Sequence, residues 1–199
     1  MHLSSTLSIR KQLFVIMQAL RYNIVNVFQV GKGKTNNRRA LDCGSGIGRI
    51  TKRLLLPMFE RVDMVEQCQK FLDKARQFIG EESARVENMF CSGLQDFTPE
   101  EGRYDVIWSQ WVLGHLTDEH LVEFFKRCKK GLAENGVFIV KENVSGSNDT
   151  QFDDVDSSFT RSKDAYVRAM MNAGLTIVKE EKQKGFPKDL YSVYMFALH

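Results

Sequence analysis

Between residues 42 and 49 the chain reads Asp-Cys-Gly-Ser-Gly-Ile-Gly-Arg, three glycines at alternate positions behind an acid. A β-type run, Ala40 to Cys43, leads into it and helical periodicity follows, so the glycines fall on a strand-to-helix turn. Such a turn lets the backbone N–H groups at a helix start approach a bound group closely. Glu66 stands 24 residues after Asp42, at the end of the next apolar run, where a carboxylate can accept two hydrogen bonds from a ribose diol. Taken singly, the glycines also suit a tight connection and Glu66 a solvated helix cap. Spacing excludes two nucleotide sites. The dinucleotide pattern G-x-G-x-x-G would put glycine at Arg49, and no Lys-Ser/Thr follows as a P-loop requires.

Further polar and aromatic residues collect after later apolar runs: Gly93-Leu94-Gln95-Asp96-Phe97-Thr98-Pro99, then Ser109-Gln110-Trp111 with Gly114-His115-Leu116-Thr117-Asp118. The acidic run Asp153-Asp154-Val155-Asp156-Ser157-Ser158, alone, reads as a surface turn and helix cap. Cys43, Cys68, Cys91 and Cys128 lie 25, 23 and 37 apart, with no metal or redox spacing, and read as reduced intracellular thiols.

These residues need a scaffold, and the hydrophobic pattern supplies one. Candidate strands are Ala40 to Cys43, Val62 to Val65, Val86 to Cys91, Tyr104 to Ser109 and Gly136 to Glu142; helical periodicity fits Ile47 to Leu56, Gln69 to Ile79, Asp118 to Leu132 and Lys163 to Ala173. The alternation predicts an α/β fold with a parallel sheet and crossover helices. Leu175 to Lys182 and Leu190 to Leu198 read as an antiparallel pair that closes it. Residues 4 to 30 are ambiguous, helix-like to Leu20 and alternating at Ile24 to Phe28.

At 199 residues and 43% hydrophobic, the chain is expected to be one domain over residues 40 to 199, with a basic segment at 1 to 39; disorder, collagen and coiled coil are excluded. The first 41 residues hold seven basic residues and no acid, leaving 21 basic against 25 acidic in the remainder. That start admits organelle targeting, though an ordinary amphipathic segment is the better expectation. No apolar run approaches the ~20 residues needed to span a bilayer, so no membrane partner is expected. Nucleic acid is not an expected partner either, because the basic residues are scattered with few stacking aromatics.

The Asp-x-Gly-x-Gly-x-Gly loop with an acid at the second strand end resembles the S-adenosylmethionine-dependent methyltransferases of the Rossmann-like class. That resemblance implies a class I fold, a mostly parallel seven-stranded sheet with an antiparallel C-terminal strand and helices on both faces. It also implies that Asp42 orders the loop near the methionine amine, that Gly44 and Gly46 make room, and that Glu66 holds the ribose. Members that methylate planar amide or base nitrogens carry Asn/Asp-Pro-Pro-aromatic after the fourth strand, where this chain has Ser109-Gln110-Trp111, so such an acceptor is not expected.

The run Ala40 to Pro57, Gly93 to Pro99, Gln110-Trp111 with Gly114 to Asp118, and Asp153 to Ser158 together resemble the protein α-N-terminal methyltransferases, which act on proteins beginning X-Pro-Lys/Arg after Met removal. The resemblance covers residues 40 to 199. It implies cofactor contacts from Gly44, Arg49, Glu66, Gln67, Cys68, Leu94, Gln95 and Gln110; the family usually has Asp where Glu66 stands. For the peptide it implies Trp111 along the proline slot, Asn143 on the first residue's backbone, Asp153 and Asp156 on the third residue's cation, and Ser158 and Tyr191 completing the channel. His115 and Asp156 would receive the proton. An α-amine, pKa about 7.7 to 8.0, is neutralised at pH 7 for roughly 1 kcal/mol, against roughly 4 to 5 for a lysine at about 10.4, which makes it the easier nucleophile. The family's location implies cytoplasm and nucleus. Residues 1 to 39 lack the aromatic pair and Gly-Met-Leu/Met-Gly segment of the family lid, which keeps two alternatives open: a small-molecule amine methyltransferase, and a non-catalytic cofactor- or peptide-binding homologue.

Overall fold

The computed structural model describes residues 35–147, 149–185 and 190–199. The expectations for the N-terminal segment, its targeting role, the helix to Leu20 and the alternation at Ile24 to Phe28 fall at residues 1–34, outside the described residues.

Seven strands form one sheet in the order β3-β2-β1-β4-β5-β9-β8. They are β1 (Arg39–Cys43), β2 (Arg61–Glu66), β3 (Val86–Cys91), β4 (Tyr104–Gln110), β5 (Leu132–Val144), β8 (Ile177–Lys182) and β9 (Ser192–Leu198). β9 runs antiparallel to both its neighbours, pairing Phe138 with Leu198 and Ile177 with Leu198, while the other pairs are parallel. The expected Rossmann-like arrangement is therefore present. A second sheet of two short strands, β6 (Gln151–Asp153) and β7 (Ser158–Thr160), stands where the pattern predicts no strand; residues 154–157 of the acidic run form the hairpin turn, with no helix cap there.

Strand alternation divides the interior into two cores. Ala40, Met64, Trp108, Ile139 and Ala197 face one side, under α1 (Gln69–Ile79), which buries Leu72, Ala75 and Ile79 at helical spacing. Leu41, Val65, Ile107, Phe138 and Leu198 face the other, under α2 (Asp118–Gly131) and α3 (Lys163–Asn172). Each of these two helices starts at a hydroxyl cap: Thr117 accepts from the His120 N–H and Ser162 from the Ala165 N–H. Such a cap contributes about 1 kcal/mol.

The helix after the glycine loop departs from the expected regular helix. Thr51–Leu55 forms a π-helical turn, with the Leu56 N–H donating to the Thr51 carbonyl. The wide turn allows three consecutive leucines, Leu54, Leu55 and Leu56, all to be buried, which an α-helical face does not permit. The sheet order reverses between β1 and β4, so the carboxyl ends of these strands diverge into a crevice.

Candidate active site at the strand carboxyl ends

The glycine loop is held from both of its ends. Buried Asp42 closes β1, and its Oδ2 accepts from the Thr51 N–H at 3.0 Å and the Thr51 hydroxyl at 2.6 Å. Burial pushes its carboxyl up to about 6, against the pull of those two donors and of Arg49. Gly44 and Ser45 donate their N–H groups to the Val65 carbonyl. Gly44, Gly46 and Gly48 all have positive φ; a Cβ on Gly44 would lie 2.5 Å from Val112 Cγ2, so only glycine lets the loop pass there.

Glu66 ends β2 with its carboxylate turned onto the loop. One oxygen accepts from the Gly46 N–H at 3.0 Å and the other from the Cys68 N–H at 2.9 Å, at the start of α1. Each oxygen keeps a further lone-pair site, so a diol can still be bound.

Gly44, Glu66, Gln67, Leu94, Gln95, Trp111 and His115 line a common cleft of about 260 Å³, together with Phe71. The structure thus brings together seven of the sequence candidates from the ends of four strands. Asp42 and Gln110 lie buried behind them, and Gly46, Arg49 and Cys68 border the same loop without lining the cleft. The Gln95 amide donates to Asp96 at 3.0 Å.

Trp111 sits on a strained corner, with φ +55° in a bulky non-glycine residue. Its N–H donates to the Lys141 carbonyl, and the next two N–H groups, of Val112 and Leu113, donate to one oxygen of Glu142 at 2.9 and 3.0 Å. Burial pushes Glu142 up to about 7, opposed by the Leu113 and Val112 N–H groups. The corner leaves the indole 37% exposed at the cleft edge.

Arg161 ties the hairpin to this corner. Its side chain is 1% exposed; Nη1 donates to the Leu113 carbonyl, Nη2 to that of Leu116, and Nε to Asp118 at 2.8 Å. The turn carrying His115 is therefore gripped on both sides of that residue. A Cβ on Gly114 would sit 3.0 Å from the Phe159 carbonyl and 3.6 Å from Ser158 Cβ, so β7 lies directly against it.

Asp153 and Asp156 are exposed on the hairpin and outside the cleft lining, and Asp153 accepts from the Val155 N–H at 2.8 Å. The hydroxyl of Tyr191 donates to Gln151 at 2.6 Å, joining the segment before β9 to β6. Asn143, half-buried on β5, pairs with Val193 of β9. Of the peptide-side candidates only Trp111 lines the cleft, the others lying on β5, on the hairpin and before β9, and of the two catalytic candidates only His115 lines it.

Three residues here were missed. Lys141 and Glu142 are charges at the end of an apolar strand buried on both faces, a signal that could have been read. Arg161 acts 43 to 48 residues away along the chain, and no local pattern announces it.

The cleft fits the adenosyl amino acid that the resemblance implies. It offers a glycine loop whose backbone passes where a Cβ on Gly44 would clash, a carboxylate with free lone pairs, and, behind the lining, the buried, unpartnered amide oxygen of Gln110. Among the described residues no His, Cys, Asp or Glu cluster could hold a metal, and no helix could cross a membrane.

Residues 18–199 match the family described as AdoMet-dependent proline di-methyltransferase. The N-terminal Xaa-Pro-Lys N-methyltransferase 1 of Danio rerio is 58% identical over 168 residues, covering 84% of this chain and 75% of that protein. The protein of that name from Mus musculus is 55% identical over 168 residues, with the same coverage, 84% and 75%. A solved S-adenosylmethionine-dependent methyltransferase from Leishmania major superposes with a TM-score of 0.85 at 35% identity, covering 93% of this chain and 72% of that one.

Proposed function

The chain belongs to the AdoMet-dependent proline di-methyltransferase family, and on that premise we propose that it transfers methyl groups from S-adenosylmethionine to the free α-amine of proteins beginning X-Pro-Lys or X-Pro-Arg. The single observation that carries the peptide half of this reading is the grip of Arg161. It fixes the acidic hairpin to the turn bearing His115, which supports the reading that one bound chain meets the hairpin with its cation and the cleft with its amine.

S-Adenosylmethionine supplies an electrophilic methyl group on a sulfonium. The remaining work is done by this chain's own residues, chiefly alignment, because the displacement is in line. Glu66, braced by the Gly46 and Cys68 N–H groups, takes the ribose with its remaining lone pairs. Trp111 stands at the cleft edge as a flat apolar wall for a proline ring, and Asn143 takes the first residue's backbone. Asp153 and Asp156 attract the third residue's Lys or Arg, and Ser158 and Tyr191 flank its path. His115, in the cleft lining, is the base that takes the proton the ammonium must lose, with Asp156 assisting through solvent.

The test is incubation with S-adenosylmethionine and a Ser-Pro-Lys-Arg peptide beside its N-acetylated twin, read by mass. Methyl additions on the free peptide alone are expected. Methylation of simple amines but not the peptide would replace this reading with a small-molecule enzyme. Cofactor binding without any transfer would point to a non-catalytic homologue.

A further inference from the structure

Arg127 stands near the end of α2 and outside the cleft lining; with Lys126, Lys129 and Lys130 it borders a separate hollow on the surface. Its guanidinium is nonetheless bound to the wall of the cleft. Nε donates to the Phe97 carbonyl at 2.8 Å, and Nη2 donates to the Leu94 and Gln95 carbonyls at 2.8 and 2.9 Å. Leu94 and Gln95 line the cleft from the turn after β3, so one side chain holds from behind the backbone on which both stand.

A guanidinium is a rigid planar fork with donors on every nitrogen, and carbonyls that meet it are fixed in direction as well as in position. A trans peptide unit points its N–H opposite to its C=O. With the Leu94 carbonyl turned to Arg127, the Gln95 N–H therefore points away from α2. The turn's own bonds run from the Asp96 and Phe97 N–H groups to the Gly93 carbonyl and do not use that N–H. The Gln95 side chain is set too: a Cβ on Gly93 would collide with its amide, and that amide donates to Asp96 at 3.0 Å. The near end of the turn is tied to the end of β2, where the Ser92 N–H donates to the Glu66 carbonyl at 3.2 Å. Adenine presents a bare ring nitrogen, N1, beside its amino group, and a 6-oxo purine presents an N–H at the same place. A donor held in one direction pairs with the first and leaves two donors facing each other in the second.

Resting on the reading of the cleft as a cofactor site, we propose that Arg127 is a positioning residue for the cofactor's base: by holding three carbonyls of the turn from outside the cleft, it fixes the Gln95 N–H and the Leu94 side chain against the adenine ring, and so sets the preference for adenine over a 6-oxo purine. Arg161 holds the turn bearing His115 from behind, and Arg127 does the same for the turn bearing Leu94 and Gln95. Two walls of the cleft are thus set by two different arginines, neither of which lines it.

The experiment is calorimetric titration of the full chain with S-adenosylhomocysteine and with S-inosylhomocysteine, which differs only at N1 and the 6-position of the base. The wild-type chain is expected to prefer the adenosyl compound by about thirtyfold, and Arg127→Met to lose about tenfold of that preference, mainly through weaker binding of the adenosyl compound. Arg127→Lys, which keeps the charge but cannot span three carbonyls, should recover only part of it. Arg161→Met, which frees the other turn, should leave the ratio as in the wild type. A ratio unchanged in Arg127→Met overturns the proposal even if both affinities fall together, because that would show a bracing role with no part in reading the base; an equal fall of the ratio in Arg161→Met overturns it as well. Should Arg127→Met fail to fold, Arg127→Gln carries the same comparison, and a wild-type ratio near one overturns the proposal without any variant. A folded wild-type chain that binds neither compound overturns the cofactor reading itself, and this inference with it.

Discussion

The glycine-loop side of the cleft and the β6–β7 hairpin are held in unlike ways. On the loop side, neighbours in sequence lock one another: Asp42 reaches Thr51, Glu66 reaches Gly46 and Cys68, and the cost of positive φ is carried by glycine. On the hairpin side, three-residue strands with exposed Phe152, joined by a turn with exposed Val155, are attached to the body largely through Arg161 and the backbone at Ser145 and Ser162. The first arrangement shares its hold among several local bonds; the second concentrates its hold in one side chain and leaves Asp153 and Asp156 in solvent.

The comparison breaks most sharply at Arg161. Arg161→Met removes the donors to the buried Leu113 and Leu116 carbonyls and is expected to cost about 3 kcal/mol in denaturant unfolding, because charged hydrogen bonds are lost and acceptors are left orphaned. Peptide methylation should fall at least about a hundredfold while S-adenosylhomocysteine binding changes little, as expected when positioning is lost by an ångström or so. Equal loss of both would show that the two regions are not separate.

Glu142 joins the regions, and its effect is read through pH. Its folded pKa of about 7 lies above the ordinary value of 4.5, so the folded state binds the proton more tightly than the unfolded chain. Stability is then full below pH 4.5 and declines as pH rises towards about 7, by about 3 kcal/mol if no other group titrates, and stays level above that. Asp42 adds a decline in the same direction, between 3.8 and about 6. Glu142→Gln keeps an acceptor for the Val112 and Leu113 N–H groups and should flatten the upper part of this profile, measured as melting temperature against pH. A profile unchanged in Glu142→Gln would remove Glu142 as its source.

The contrast also explains which parts were legible in the chain itself. The loop side is local, so its chemistry is written as a spacing, Asp42 through Gly48 with Glu66 following, and periodicity gave α1 its observed bounds of Gln69–Ile79. The hairpin was read as a turn because three-residue strands show too few alternations to reveal a period, and its anchor is a distant arginine. The π-helical turn escaped for a related reason: three adjacent leucines satisfy a helical pattern without showing that the turn must widen to bury all of them.

Two glycines sharpen the loop side. Gly44→Ala combines φ +69° with a Cβ 2.5 Å from Val112, whereas Gly46→Ala has φ +56° and open space. The first is expected to cost about 2 to 3 kcal/mol and at least tenfold in S-adenosylhomocysteine affinity; the second should cost only the conformational strain, about 1 kcal/mol. Comparable losses in both would mean that backbone conformation, and not the contact with the Trp111 corner, limits the loop.

The smallest effect on stability belongs to Asp153→Asn and Asp156→Asn, and it is the most discriminating. Both carboxylates are exposed, and Asp153 makes only a local bond to the Val155 N–H that Asn can also accept. Unfolding free energy should therefore stay within about 0.5 kcal/mol of wild type, as for other exposed substitutions. If these acids hold the third residue's cation, each variant should raise KM for a Ser-Pro-Lys-Arg peptide by about tenfold, with less effect on a Ser-Pro-Gln peptide and none on S-adenosylhomocysteine binding. High salt should reduce the wild-type advantage towards the variants, because exposed charges are screened. A fall in kcat with unchanged KM for Asp156→Asn alone would move that residue from recognition to proton transfer, and unchanged kinetics for both would leave the hairpin without a substrate role and return the cleft to a small-amine acceptor.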